Sequence, residues 1–549
     1  MDILIWIAAG SLILFSSLRF GKENSVGWEV SDKSYRIIFP VLTIVFIFLL
    51  TFKLTEVPMP YHIDEAGMAY DAVNIARYHY DRYFYHFPVY FNNFGSGQSA
   101  LYIYMAAILI KLFGYSILVV RIPAVFLSLV SACIFCWTIR REHGNTASVL
   151  TMFFFCILPF SIMHSRWGLD AYLFFPMLII SCCAFYYSIQ NGKTVWYFFS
   201  GCLFGLTLYS YAISFVTVPL FLIVLVIYLG FIRKISWKKL FAMGIPLFLL
   251  AFPLILFMAV NNGMIGEIRN RFFSIPKLQT YMAGDMNIKN IFYNLRFGKE
   301  NFFYVLFVDD HFIYNSVSGF GSMYFISLPF IVYGFILCGK KCVNDVRQKK
   351  IHFCCLILSL FLISLPVSLM ICPLVMWRIC ALYIPLIYFL VLGILEILRK
   401  SRTAFMIMVC IYLILSFSFF RYYFVDYNKD LDSNIIVGSI TDLSEALDFA
   451  EEMNRYDGTI YVLDPHVGHI YVLLDRGIDP VTFNEQKFIS NDGYVKIVGK
   501  YRFRLDAVMP DCVYIFRDRN KMPDIADIMG FDSKKFGSFF VYYPKQEKE

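Results

Sequence analysis

Asp64 and Glu65 are adjacent carboxylates in PMPYHIDEAGMAYD, directly after an apolar stretch and at the start of a helical pattern running to about residue 80. An acidic cap and first turn would account for such a pair without any chemistry. The same place suits a general base, because a positive helix end favours the charged form of a carboxylate. Residues 78–94 follow with nine Phe and Tyr, an interfacial aromatic belt or, for one or two rings, a platform for a sugar face. Two arginines stand where basic residues are otherwise scarce, Arg166 in HSRWGLDAY and Arg378 in MWRICALYIP. A lone arginine there can snorkel to the interface, and a guanidinium can also grip a lipid phosphate bidentately. Asp170, four residues after Arg166, reads as its helical ion-pair partner or as a second site carboxylate. Further on, DDHFIYNSVSGFG offers Asp309, Asp310 and His311, which could bind a metal with His62 or His164, though no metal-ligand spacing supports it.

The elements that must carry these residues are set by composition. The 549 residues are 59% hydrophobic, 19% aromatic and only 16% charged, against about 25% charged in soluble domains. That excludes a disordered chain, a disulfide scaffold and a nucleic-acid-binding protein, and leaves a polytopic α-helical membrane protein. Residues 1–420 carry a net +14 and residues 421–549 a net −6, so two regions meet different solvents. A bilayer core of about 30 Å needs about 20 apolar residues per helix. Twelve stretches qualify, near 3–18, 37–54, 117–138, 147–164, 171–189, 196–212, 214–231, 239–260, 322–338, 352–371, 376–398 and 403–420. The first has no basic leader region and no small-residue cleavage site, so a retained helix is expected rather than a cleaved signal.

Six alternate connections are basic: 19–36 (with Arg19, Lys22), 139–146, 190–195, 232–238, 339–351 and 399–402. The positive-inside rule makes them cytoplasmic and places both termini outside. Counting 99–113, SALYIYMAAILIKLF, as a span would reverse every later loop, so an interfacial amphipathic helix is expected there. Two outer segments result, 55–116 and 261–321, the second carrying Arg269, Arg271, Lys289, Arg296 and Lys299. The expected division is a transmembrane catalytic region over 1–420 and an extracytoplasmic α/β domain over 421–549. The latter shows a helical pattern at 442–454 and strand patterns at 459–463, 513–516 and 538–543. Most of the 14 cysteines fall within spans or at their cytoplasmic ends; Cys133 and Cys136 read as small packing residues, and no disulfide framework is evident.

Taken together, the acidic pair, YIYMAAILIKLFGYSILVVRIPA, SRWGLDAYLFF, YNSVSGFG and RICALYIPL resemble the GT-C superfamily of membrane glycosyltransferases. Within it they are similar to glycosyltransferase family 39, which includes protein O-mannosyltransferases and aminoarabinose lipid A transferases. The resemblance covers about residues 55–400. It implies a GT-C-like fold, a donor sugar carried on a polyprenyl phosphate, an active site at the outer membrane face, and a glycan, lipid or protein acceptor at the cell surface. It implies no nucleotide sugar, and a divalent metal is compatible with it. The family's base maps onto Asp64, with Glu65 beside it, and its second carboxylate onto Asp170. Arg166 and Arg378 map onto the donor-phosphate cations, and Tyr314 and Asn315 onto the substrate lining. Two features depart from the aminoarabinose branch: FGSGQSALY replaces its Lys-Pro-Pro, and position 67 is Gly instead of a basic residue. The rival readings are an outer-face polysaccharide polymerase or ligase, and a flippase or transporter for lipid-linked sugars. Transporters usually carry ionisable residues at mid-membrane, and the span centres here are nearly free of charge.

Overall fold

The computed structural model describes residues 2–20, 29–59, 61–281, 286–296, 301–432, 440–454, 458–463, 468–489, 495–505, 507–517 and 530–545. Lys22 and Lys299 lie outside the described residues. The chain opens with helices α1 (Asp2–Phe20) and α2 (Asp32–Thr51), then α3 (Ile63–Tyr78), the hairpin β1 (Tyr90–Asn93) and β2 (Ser96–Ser99), and α4 (Ala100–Phe113). Next come α5 (Ile117–His143), α6 (Asn145–Ile157), α7 (Pro159–Arg166), α8 (Asp170–Asn191), α9 (Thr194–Leu208), α10 (Ser214–Phe231) and α11 (Trp237–Asn261). The hairpin β3 (Ile268–Arg269) and β4 (Ser274–Ile275) and short helices α12 (Asn290–Leu295) and α13 (Phe302–Phe307) precede α14 (Ser327–Arg347) and α15 (Phe353–Leu369). A 3-10 turn (Met376–Leu382) leads into α16 (Tyr383–Lys400) and α17 (Arg402–Val425).

Each of the twelve predicted spans is a helix or a helical pair. Among the described residues seven are long and apolar enough to cross a membrane, eight if α6 and α7 count as one bent span. That pair bends by 61°. Pro159 has no N–H for the ladder, and Leu158 before it is forced into extended backbone at φ −74°, ψ 129°. Helices α9 and α15 are shorter apolar helices, as is α4. At 14 residues α4 reaches only about 21 Å, short of a bilayer core, in keeping with the interfacial helix expected there.

The chain forms two compact units. The first comprises Met1–Leu54, Arg121–Leu256 and Met282–Phe424. Within it α8 and α16 are the most enclosed spans, and α2, α11 and α17 leave most of their apolar side chains outward, as lipid-facing helices do. Helices α14 and α16 approach so closely that a Cβ on Gly334 would strike the Phe389 carbonyl, and one on Gly393 the Phe330 carbonyl. Small residues at a helix crossing let two backbones meet where lipid supplies no hydrophobic drive.

The second unit gathers Thr55–Val120, Phe257–Tyr281 and Val425–Glu549, so the outer excursion 55–120 folds with the tail instead of standing as a loop of the helical region. Its sequence division therefore differs from the 1–420 and 421–549 expectation, and hydrogen bonds show why. Tyr471 Oη donates to the Tyr61 carbonyl at 2.7 Å, and Asn484 Nδ2 to that of Arg82 at 2.8 Å. The tail is the expected small α/β fold, with helices α18 (Tyr427–Asp432), α19 (Ile440–Met453), α20 (Gly468–Arg476) and α21 (Pro480–Gln486). Its strands are β5 (Ile460–Val462), β6 (Lys487–Ile489), β7 (Val495–Val498), β8 (Tyr501–Arg502), β9 (Val513–Phe516), β10 (Phe531–Phe536) and β11 (Phe539–Pro544). They form one mixed sheet in the order β10-β11-β9-β5-β8-β7-β6, in which β5 runs parallel to both neighbours.

Candidate active site

In the second unit the geometry centres on the first turn of α3. His62 is the N-cap, and its Nδ1 accepts from the Asp64 backbone N–H at 3.1 Å. Burial holds the His62 imidazole below its usual pKa, so it caps as a neutral ring. Asn93 Nδ2 donates to Asp64 Oδ1 at 2.8 Å, and Gln98 Nε2 reaches the Asp64 carbonyl at 3.2 Å. Both amides come from the β1–β2 hairpin, which thus fixes the carboxylate's orientation from across the helix end. The Asp64 side chain keeps 42% of its surface in solvent, whereas Glu65 is fully buried.

Gly67 accounts for the departure noted in the sequence. A Cβ there would sit 2.7 Å from Asn93 Oδ1 and 3.0 Å from Arg82 Nη2. Glycine is what admits both groups to the helix surface. Arg82 Nη2 donates to the Gly67 carbonyl at 2.6 Å, and the guanidinium also grips the Asp71 carboxylate through Nε (3.0 Å) and Nη2 (2.7 Å). Both members of that pair are fully buried. Asp81 next door is buried too, and burial with the nearby Asp71 charge pushes its carboxyl up to about 7.

The remaining expected residues lie in the first unit. Arg166 ends α7 fully buried, with Nη1 donating to the Leu49 carbonyl at 2.7 Å and Nη2 to that of Phe52 at 2.6 Å. It caps the C-terminal end of α2, where a cation meets the negative end of the helix dipole. Trp167 to Leu169 break the helix, so Arg166 and Asp170 do not share a helical face. Asp170 instead opens α8, its Oδ1 accepting from the Ala171 N–H at 2.8 Å.

Asp310 draws three of these elements together. Its Oδ2 accepts from Asn315 Nδ2 (2.6 Å) and from the Met376 N–H (3.0 Å), and its Oδ1 from the Ser316 hydroxyl (3.0 Å). Asn315 Oδ1 in turn accepts from Tyr172 Oη on α8 at 2.9 Å. The turn holding Arg378, the loop holding Tyr314 and Asn315, and the helix opened by Asp170 are thereby fixed to one another. Tyr314 is buried and stacks on Trp377 at 6.0 Å between ring centroids; Arg378 Nη1 donates to the Pro373 carbonyl at 3.3 Å. Burial raises the Asp310 carboxyl despite its donors, and its oxygens serve the loop; the metal set with Asp309 and His311, for which the sequence offered no spacing, would have to displace these bonds. His164, the other suggested ligand, stacks on Tyr172 at 4.2 Å.

Asn93, Gln98, and Arg82 with Asp71 are the supporting residues that sequence reasoning missed, and Asp310, considered there only as a metal ligand, is an anchor of its loop. A two-stranded pattern around FNNFGSGQS, with amides on either side of a Gly-Ser-Gly turn, was the available signal for the first two.

Residues 98–259 match the family model described as dolichyl-phosphate-mannose-protein mannosyltransferase. The chain is also similar to the crystal structure of ArnT from Cupriavidus metallidurans bound to undecaprenyl phosphate, at 10% identity and TM-score 0.50, covering 94% of this chain and 100% of that one. The chain has the GT-C fold. A weaker likeness, to the apo oligosaccharyltransferase of Archaeoglobus fulgidus, has TM-score 0.46 at 10% identity, covering 81% of this chain and 64% of that one. No curated protein matches. The GT-C resemblance drawn from the motifs is borne out, and the match over 98–259 spans α5, α8, α9 and α10, the bent α6–α7 pair and all but the last two residues of α11 among the helices expected in the membrane region.

Proposed function

We propose that this chain is an integral membrane glycosyltransferase that moves a sugar from a polyprenyl-phosphate donor to a cell-surface acceptor, with Asp64 as the general base. The observation that carries this reading is the setting of Asp64. It is a half-exposed carboxylate at a helix N-terminus, aimed by Asn93, beside a buried Glu65 that cannot meet substrate in the same way. The polyprenyl-phosphate donor is supported by the family match and by the undecaprenyl phosphate bound to the similar ArnT. The outer-face orientation rests on the basic connections and the positive-inside rule.

In the proposed step Asp64 takes the proton of the acceptor hydroxyl as that oxygen bonds to the anomeric carbon. The carbon–oxygen bond to the lipid phosphate breaks, and the phosphate leaves with the electron pair. A phosphate leaves without protonation when a cation stabilises its charge. Arg378 is the better assigned of the two expected cations, because both terminal nitrogens of Arg166 are held by α2 carbonyls. Asp170, Tyr314 and Asn315 are assigned to the substrate side of the same reaction, and Glu65 to shaping the helix start.

The test is Asp64→Asn in membranes supplied with a panel of polyprenyl-phosphate sugars, scored by the mass shift of the acceptor fraction. Transfer should fall by about 10²–10⁴-fold, the usual worth of general-base assistance, with expression and melting temperature unchanged. Near-normal transfer by a well-folded D64N chain would overturn the assignment.

A further inference from the structure

At the basic ends of α14 and α15, joined by residues 348–352, four cysteines converge. Cys338 Sγ donates to the Cys354 carbonyl at 3.5 Å, and all four residues are buried. The sulfurs of Cys342, Cys354 and Cys355 lie within 4.8 Å of one another. Asp345 is buried at the same place, its Oδ2 at 3.5 Å from Cys354 Sγ and 3.4 Å from Cys355 Sγ. A tetrahedral zinc ion with Zn–S of about 2.3 Å and Zn–O of about 2.0 Å sets its sulfur–oxygen edges at about 3.5 Å. The two separations from Asp345, to Cys354 and to Cys355, match that edge, and Cys342 joins the set through its sulfur's approach to the other two. The other Asp345 oxygen, Oδ1, is 2.8 Å from His352 Nδ1, a hydrogen bond of the kind that orients metal-binding carboxylates.

We propose that Cys342, Cys354 and Cys355, completed by Asp345, form a structural zinc site that staples α14 to α15. Three soft thiolates and one carboxylate suit a d10 cation such as Zn²⁺, not the hard cations that demand oxygen shells. Binding releases the thiol protons to solvent as the three zinc–sulfur bonds form, with no change of oxidation state. Such a site carries a net charge of about −2 and needs cations nearby. A cavity of about 560 Å³ beside it is lined by Arg141, Lys234, Lys341 and Lys350, with His352 at its edge. Its one carboxylate, Glu142, is already engaged by Tyr186 Oη at 2.5 Å and the Phe353 N–H at 3.4 Å. That corner therefore holds a surplus of positive charge for an anionic centre to balance.

The experiment is metal analysis of the full-length protein in detergent after dialysis against EDTA. About one tightly held zinc per chain is expected, released in full when a mercurial titrates the thiols. The double variant C354S/C355S should hold none, and D345N should lose zinc to a chelator at least tenfold faster than wild type. A wild-type chain without zinc would overturn the proposal, whatever the variants do, as would a C354S/C355S chain that keeps its ion.

Discussion

Asp64 differs from its neighbour Glu65 in being reachable, and its carboxylate is oriented by a side chain 29 positions away, Asn93. Asn93 acts on the carboxylate without being placed on substrate, so it is a positioning residue. Asn93→Ala should leave KM within about twofold and lower kcat by roughly 10–100-fold, since misorientation of a base is felt in the chemical step. A raised KM with kcat unchanged would instead assign it to binding. Gly67→Ala should produce the same loss by a different route, because its methyl group would meet Asn93 Oδ1 and Arg82 Nη2. The acidic pair was legible in the sequence because charge is scarce at the ends of spans. Its orienting amide was not, since Asn93 follows a run of aromatics and its pairing with Asp64 is a matter of tertiary approach, not of any period. Arg166 shows the converse. Its position at a helix mouth invited a phosphate, but the open carbonyls at the end of α2 use the same donors.

Among the elements, α3 depends on the Asp71–Arg82 pair to hold the turn that follows it. Removing one partner of a buried ion pair leaves an uncompensated charge and costs about 3–5 kcal/mol, whereas replacing both by apolar groups is often close to neutral. Arg82→Met should therefore lower the melting temperature of the full chain markedly, and D71L/R82M should recover much of the loss. A double variant as unstable as R82M would mean that the bonds to the Gly67 carbonyl and the aromatic contacts of Arg82 outweigh the charge pairing. Element existence was well legible, because apolar runs of about 20 residues are a strong signal. Interruptions were less so: 147–164 reads as one span, yet Pro159 divides it. The cysteine cluster was illegible for a related reason. Cys338 and Cys342 lie one turn apart on α14 while Cys354 and Cys355 begin another helix, so no finger-like spacing marks them.

At the scale of the whole chain, the +14 and −6 segments divide the sequence at residue 420, whereas in the fold residues 55–120 join the acidic tail in one compact unit. That unit contains groups whose protonation is set by folding, and its stability should depend on pH in a way that can be traced to them. Asp81, raised to about 7 by burial and by Asp71, titrates near its ordinary value of about 3.9 when unfolded. Between those values the folded chain holds a proton that the unfolded chain has lost. Its stabilising contribution is complete below pH of about 4 and disappears as pH rises through about 7. His62 and His469 act in the opposite direction. Burial lowers both imidazoles, His469 to about 3, so their contribution is present above pH of about 6.5 and is lost as pH falls. The Asp81 contribution is isolated by comparing the wild type with Asp81→Asn, which stays neutral throughout. The backbone N–H groups of Tyr83 and Tyr85, now bonded to Asp81 Oδ1 at 2.9 and 2.8 Å, can be accepted equally by an amide oxygen. The two proteins should melt within a degree or two of each other at about pH 5, and D81N should be the more stable at about pH 8. A difference that stays constant across that range would mean that Asp81 is ionised in the folded chain at both ends of it.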